Sequence, residues 1–372
     1  MARIALLALV MIALLTGIAW AQDSQASDQA TSPAAAGGAD AATASEGRRW
    51  HASACGSMSC TTTAQASQAD ALNPSRSDGG LVTLTIWHIN DAHGQTDRYP
   101  LLATLLGTLR PADPDRTDLL VHAGDEFSKG DPLTTCTLGR ANIQLLNALG
   151  VDAMTPGNGE FYWGINLLRQ RISEAGFPFL TANVTDAAGA CVARPYAILP
   201  AGPLRVGVIG LCTVREQFPS AAGLTVEGAA ASARRLVPVV REQADVVVVL
   251  SHLGKPADLK LAQAVDGIDL IIGGHSHTVM PQGQHVRSPS GEDVLVAQTG
   301  QKLEYLGKVQ LDLKKTDGGY EVAASRAQLI AIDDTIVPDP HISDLRARLQ
   351  ATAPATQPAL PEHIAKPLVT KP

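Results

Sequence analysis

Residues 119–131, LLVHAGDEFSKGD, constrain the fold more than any other stretch: a short apolar run stops abruptly at Gly124-Asp125. An apolar run of that length reads as a buried strand, and a strand that ends on a carboxylate is a common way to hold a ligand. Gly124 has no side chain, so the backbone can approach whatever Asp125 binds, and a carboxylate has two oxygens, enough to touch two cations. Taken alone, Gly-Asp after an apolar run is an ordinary turn. The pattern gains meaning by repetition, because other strand-like runs stop in the same way at Asp, Asn or His.

The first of these, LVTLTIWH (81–88), alternates, is rich in β-formers, and runs into Asn90-Asp91-Ala92-His93-Gly94. Residues two apart in an extended segment point to one side, which suits Asp91 and His93 reaching a single ion. Residues 151–155 form another short strand leading to PGNGEFYWG (156–164), where three glycines around Asn158 hold backbone close to something. The most apolar strand, 246–250, ends in Ser251-His252-Leu253-Gly254, and 270–272 ends in Gly273-Gly274-His275-Ser276-His277. One histidine at a strand end is ordinarily a satisfied core residue. Asp91, His93, Asp125, Asn158, His252, His275 and His277, all at the ends of apolar strands, are hard to explain as packing.

Between these strands the pattern is helical. Helices are predicted over 99–110, with Pro100 in the first turn, over 140–149, stopped by Gly150, and over 165–175, 228–243 and 257–265. Pro238 is expected to kink or end the fourth of them. Further strands are predicted at 179–182, 204–211 and 294–299, and an antiparallel pair at 305–313 and 320–332 around Asp317-Gly318-Gly319. Strands alternating with helices of this length imply an α/β domain.

With 372 residues, 45% apolar and 17% charged, the chain can bury a full-sized core. A net charge of −7 without a Lys/Arg stripe argues against a nucleic-acid polymer as partner. A small anionic substrate would then need local positive charge, such as a metal. The ends differ from the middle. Residues 1–21 read as a secretory signal peptide, with Arg3, an apolar run and Ala19-Trp20-Ala21 as the small-x-small cleavage pattern. The run is interrupted at Thr16-Gly17 and is shorter than the roughly 20 residues of a membrane span, so the mature chain is expected to be periplasmic or secreted, with no span. Residues 22–80 hold too few large apolar side chains to offset the cost of ordering and read as a flexible leader. Cys55 and Cys60 are close enough to close a small loop; with His51 they make a poorer case for a metal site. Cys136, Cys191 and Cys212 fall in the globular part, where small buried side chains are expected. Residues 81–333 carry the alternating strand and helix pattern of one domain, and 334–372 a short helix (341–350) with an Ala/Pro-rich tail.

NDAHG, GDEFSKGD, GNGEFYWG, SHLG and GGHSH, in that order over residues 81–333, resemble the calcineurin-like metallophosphoesterases, in particular the N-terminal catalytic domain of the periplasmic 5′-nucleotidase and cyclic-nucleotide phosphodiesterase family. The resemblance implies a four-layer α/β/β/α sandwich with two divalent ions at the strand ends. It assigns Asp91, His93 and His277 to one ion, Asn158, His252 and His275 to the other, and Asp125 to both. Oxygen and imidazole donors without thiolate fit Mn, Zn, Fe or Co. The chemistry implied is hydrolysis of a small phosphate ester by water activated between the cations.

Two departures qualify the resemblance. The family's third motif reads GNHEFD, its His and Asp assisting the leaving group; here those positions are Gly159 and Tyr162. Asn158 remains as ligand and catalytic residue, and Tyr162 and His122 are candidate substitute donors, against the plainer view that Tyr162 fills space left by the imidazole. The family's nucleotidases also carry a C-terminal base-binding domain reached through a linker helix, and here only the helix at 341–350 is expected to remain. The alternatives are a metal-binding protein of the same fold with little turnover, or a related hydrolase of other esters, such as those of sulfur oxidation.

Overall fold

The computed structural model describes residues 81–110, 116–127, 130–214 and 219–359. The signal-peptide and leader expectations, the Cys55–Cys60 loop and the last part of the tail lie outside the described residues.

The chain begins with β1 (Val82–Ile89), α1 (Tyr99–Leu109), β2 (Asp118–His122), α2 (Pro132–Cys136), α3 (Arg140–Leu149), β3 (Ala153–Met154) and α4 (Ile165–Glu174). It continues through β4 (Val184–Thr185), β5 (Tyr196–Ala201), β6 (Leu204–Cys212), β7 (Thr225–Val226), α5 (Ala229–Arg241), β8 (Val246–His252), α6 (Lys255–Ala264) and β9 (Leu270–Ile272). It closes with β10 (Gln284–Arg287), β11 (Asp293–Ala297), the hairpin β12 (Tyr305–Thr316) and β13 (Gly319–Ala331), and α7 (Pro340–Thr352).

Two mixed sheets face each other, one ordered β13-β12-β1-β2-β3 and the other β10-β11-β9-β8-β6-β5. β1, β2 and β3 run parallel, as do β6, β8, β9 and β11. The connections between β1, β2 and β3 and between β6, β8 and β9 pass through helices, while β9 reaches β11 by way of β10, and the carboxyl ends of the parallel strands of each sheet come to one edge.

Side-chain alternation builds the layers. On β1, Leu84 and Ile86 point into an apolar layer shared with Val206, Val208, Val246, Val248 and Leu250 of the opposite sheet. Trp87 and Ile89 point the other way, against Tyr99, Leu102 and Leu106 of α1 and Ile143 and Leu146 of α3. On β8 the odd residues Val247 and Val249 pack under Leu236, Val237 and Val240 of α5 and Leu261 of α6. Strands buried on both faces are continuously apolar, which is why β8 reads VVVVL. The result is the four-layer α/β/β/α sandwich that the motifs imply.

Several local expectations differ in detail. Residues 151–155 reduce to the two-residue β3, and 179–182 make only bridges, Met154 with Phe179 and Leu180 with Arg194, because the segment passes from β3 to β6, Leu180 N–H bonding Met154 and Ala182 N–H bonding Gly210. Pro238 does not end α5; it sits on the exposed face, where the carbonyl it leaves unbonded can be solvated. β5, β10 and α2 carry no periodicity strong enough to announce them. Cys136 and Cys212 are buried as expected, and Cys191 is half-buried. Helix α7 packs on α1 and α3, with Ile342 buried among their side chains.

Candidate metal centre

Each candidate ligand is delivered by the end of a parallel strand. Asp91 and His93 follow β1, Asp125 follows β2, Asn158 follows β3, His252 is the last residue of β8, and His275 and His277 follow β9. Backbone bonds join the loops: Asp91 N–H donates to the Gly124 carbonyl at 2.8 Å, His93 N–H to Asp125 at 3.0 Å, and Lys302 N–H to the Asp91 carbonyl at 2.7 Å.

These loops are held in an uncommon conformation. Asp91, His93, Asp125, His275 and His277 all have φ between 48° and 74°. That left-handed region costs a non-glycine residue on the order of 1–3 kcal/mol and persists only where the surroundings impose it. Among the described residues only Leu138, Lys302 and Leu303 share it, and Lys302 is bonded to Asp91. The strain is thus concentrated on five of the seven candidate ligands.

Asp91 divides its two oxygens. Oδ2 accepts from Asn90 Nδ2 at 2.8 Å and from His275 N–H at 2.9 Å. Oδ1 is buried with no hydrogen-bond partner, and lies 3.2 Å from His277 Nε2, 3.7 Å from His93 Nε2 and 3.9 Å from His252 Nε2. The Nε2 atoms of His93 and His277 face each other at 3.0 Å. His252 donates from Nδ1 to the Ala123 carbonyl at 2.6 Å, because a carbonyl can only accept. Its Nε2 is left without a hydrogen-bond partner, 3.4 Å from Asp125 Oδ1. Asn158 Oδ1 is a third buried orphan. The His275 ring stands edge-on to that of His252, centroids 5.2 Å apart. Thus Asp91, His93 and His277 offer one set of converging donors, and Asp91, Asp125 and His252 a second.

The charges respond to this crowding. Burial opposes a charged His252, yet Asp125 and Asp91 outweigh it and hold its pKa up to about 10. Burial also opposes ionisation of Asp125, but the His252 charge and the Gly159 N–H, 2.6 Å from Oδ1, pull its carboxyl well below the usual range. His277 is raised by its contact with Asp91, and His93 is lowered, mainly by burial. A pocket whose field draws a proton onto His252 also favours a cation. Buried orphan oxygens and imidazole nitrogens aimed at common points fit a divalent ion, and the donor set has no thiolate.

The supporting residues were not evident from the sequence. The Asn90 carboxamide bonds Asp91 Oδ2, the Gly300 carbonyl and Thr299, tying the first ligand loop to the strand end beyond β11. Glu160 accepts four backbone amides from the Asp125 and Gly157 loops. Both stand inside the motifs, in NDAHG and GNGEF, and that position was the available signal.

The two candidate donors are placed differently. His122 is fully buried: its Nδ1 accepts from Gly124 N–H at 3.0 Å and its Nε2 bonds Glu126 at 3.0 Å, in a network with Tyr99 and Asn142. Neither of those bonds reaches the ligand cluster. Tyr162 is 48% exposed, with its ring edge-on to Trp163.

Residues 84–279 match the family model described as calcineurin-like phosphoesterase. The chain is 30% identical over 310 residues to the trifunctional nucleotide phosphoesterase protein YfkN of Bacillus subtilis, covering 73% of this chain and 21% of that protein. It is 31% identical over 299 residues to the 5′-nucleotidase of Bos taurus, covering 70% of this chain and 51% of that one. The crystal structure of the YfkN phosphoesterase superposes with a TM-score of 0.63 at 26% identity, over 73% of this chain and 97% of the solved one. The chain therefore spans about half or less of the length of these two curated relatives.

Proposed function

The chain belongs to the calcineurin-like phosphoesterase family, and from that premise we propose that it is an exported enzyme hydrolysing small phosphate esters, nucleotides among them, with two divalent cations. Asp91, His93 and His277 would hold one ion, Asn158, His252 and His275 the other, and Asp125 both. The observation that carries this reading is the set of orphaned buried atoms, Asp91 Oδ1, Asn158 Oδ1 and His252 Nε2, on a backbone strained at five ligand positions.

A divalent pair in such a cradle supplies a lowered pKa for water and neutralises charge on phosphoryl oxygens. The protein's part is positioning. The Ala123 carbonyl holds the Nδ1 proton of His252, so that Nε2 is the nitrogen that would face an ion once its own proton is displaced, and Asn90 with the His275 amide turns Asp91 Oδ1 inward. His277 is exposed and His93 partly so, whereas Asp91, Asp125 and His252 are buried. The ester therefore enters over the His93–His277 side. With Gly159 and Tyr162 in place of the family's His and Asp, the position after Asn158 offers no side chain to protonate the leaving group, and good leaving groups are favoured. Export rests on the reading of residues 1–21; among the described residues no helix is long and apolar enough to cross a membrane.

Gly159 and Tyr162 also favour a second reading, a metal-binding protein with little turnover. The test is metal analysis of the manganese-loaded protein with assays on bis- and mono-p-nitrophenyl phosphate and AMP. Two equivalents of metal and hydrolysis lost in Asp125→Ala are expected. Metal without turnover on any of the three selects the second reading, and absence of stoichiometric metal overturns both.

A further inference from the structure

A cavity of about 360 Å³ opens in the helical layer between α3, α4 and the C-terminal end of α7. None of the candidate metal ligands lines it, and neither does any acidic side chain. Two arginines do. Arg140 makes no side-chain hydrogen bond or ion pair among the described residues. Arg171 is only 3% exposed; its Nε has no hydrogen-bond acceptor, and its Nη1 lies 3.1 Å from Glu174 Oε2 without hydrogen-bond geometry.

A guanidinium stripped of water and left with an unbonded N–H is costly unless an anion completes it. Burial lowers the Arg171 pKa, Glu174 opposes this, and the like charge of Arg140 adds to the lowering, so the two cations share one field. The first turn of the ten-residue α3, at Arg140 and Ala141, opens on the same cavity and adds the positive end of the helix dipole. Leu167 and Leu349 supply apolar wall, and the volume lies within the range of small-molecule sites.

We propose that this cavity binds a small organic oxyanion, its phosphate or carboxylate group held by Arg140 and Arg171 and its body resting against Leu167 and Leu349. Planar guanidinium forks pair with either group, so the chemistry is shared and the source is a matter for experiment. The site is independent of the hydrolytic reading, because no metal ligand takes part.

The test uses the full metal-loaded chain, titrated calorimetrically with inorganic phosphate and separately with succinate, while alkylation of Cys136 on the cavity wall is followed by peptide mapping. Saturation by at least one probe is expected, with slower Cys136 alkylation and an affinity lower by about tenfold or more in Arg140→Gln. Phosphate alone or succinate alone identifies the group recognised. Should Arg140→Gln fail to fold, Gln144→Glu places a negative charge on the same wall and is expected to abolish binding. Binding by neither probe, or binding that leaves Cys136 unprotected and survives both substitutions, overturns the proposal. Hydrolysis is not the readout, so failure here is distinct from failure of the phosphoesterase reading.

Discussion

The Glu160 carboxylate accepts the backbone N–H of Asp125 at 2.9 Å, and it takes those of Glu126, Phe127 and Gly157 at 2.6, 3.0 and 2.5 Å as well. One buried acid thus pins the loop that carries the proposed shared ligand to the loop that carries Asn158. Replacing it by glutamine turns an –NH₂ toward amides that can only donate. Glu160→Gln should lose about 2–3 kcal/mol of stability in urea denaturation and bind manganese about 10- to 100-fold more weakly. An unchanged manganese isotherm would remove Glu160 from the positioning of Asp125.

Gly274 lies against the same assembly: a Cβ there would stand 2.5 Å from the Ala123 carbonyl oxygen and 2.8 Å from His252 Nδ1. Both atoms belong to the hydrogen bond that sets the His252 tautomer. Gly274→Ala should therefore cost about 1–3 kcal/mol by overpacking and reduce metal stoichiometry. Full metal loading in this variant would show that the bond does not orient His252.

Gly159 and Tyr162 set up a test of the leaving group. General-acid help is worth about 10²- to 10⁴-fold, most of it on esters whose leaving group needs a proton. Across phosphate esters of rising leaving-group pKa, the rate should fall steeply in wild type and less steeply in Gly159→His. A flat dependence in wild type would mean that a donor is already present.

His88 gives a pH dependence separate from the metal cluster. It sits in β1 opposite Gly307, with neither ring nitrogen hydrogen-bonded, and burial lowers its pKa from 6.5 to about 3. The unfolded chain takes this proton below pH 6.5, whereas the folded chain resists it down to about 3. The contribution is therefore complete above pH 6.5 and is lost as the pH falls toward 3, by about 1.4 kcal/mol per unit. Denaturation curves from pH 7 to 4 should fall less steeply for His88→Leu than for wild type; parallel curves would show that His88 is hydrated in the folded state.

Much of the architecture was legible because it rests on local chemistry. Helix α3 matches its predicted bounds, since apolar spacing and a left-handed Gly150 are properties of the segment itself. The β12–β13 hairpin turns where Asp317-Gly318 allows it, and the strand ends at Asp91, Asp125, His252 and His275 are visible because two-sided burial demands unbroken apolar runs that polar residues terminate. Short edge segments such as β10 and the bridges at Phe179 were not legible, because their pairing depends on partners far along the chain.

The amino-acid order by itself determined which side chains stand at the strand ends, and hence the kind of ion that could be held. Tertiary structure alone decided which oxygen of Asp91 faces inward, that five of those residues adopt left-handed backbone, that Glu160 clamps two loops, and that His122 is bonded to Glu126 within the core. The bonds from the His275 amide to Asp91, 184 positions away, and from the Asp125 amide to Glu160, 35 away, exist only once distant segments have packed, and the short-range Asn90–Asp91 and His122–Glu126 bonds, one and four positions apart, take the orientation that this packing imposes; no local propensity encodes them.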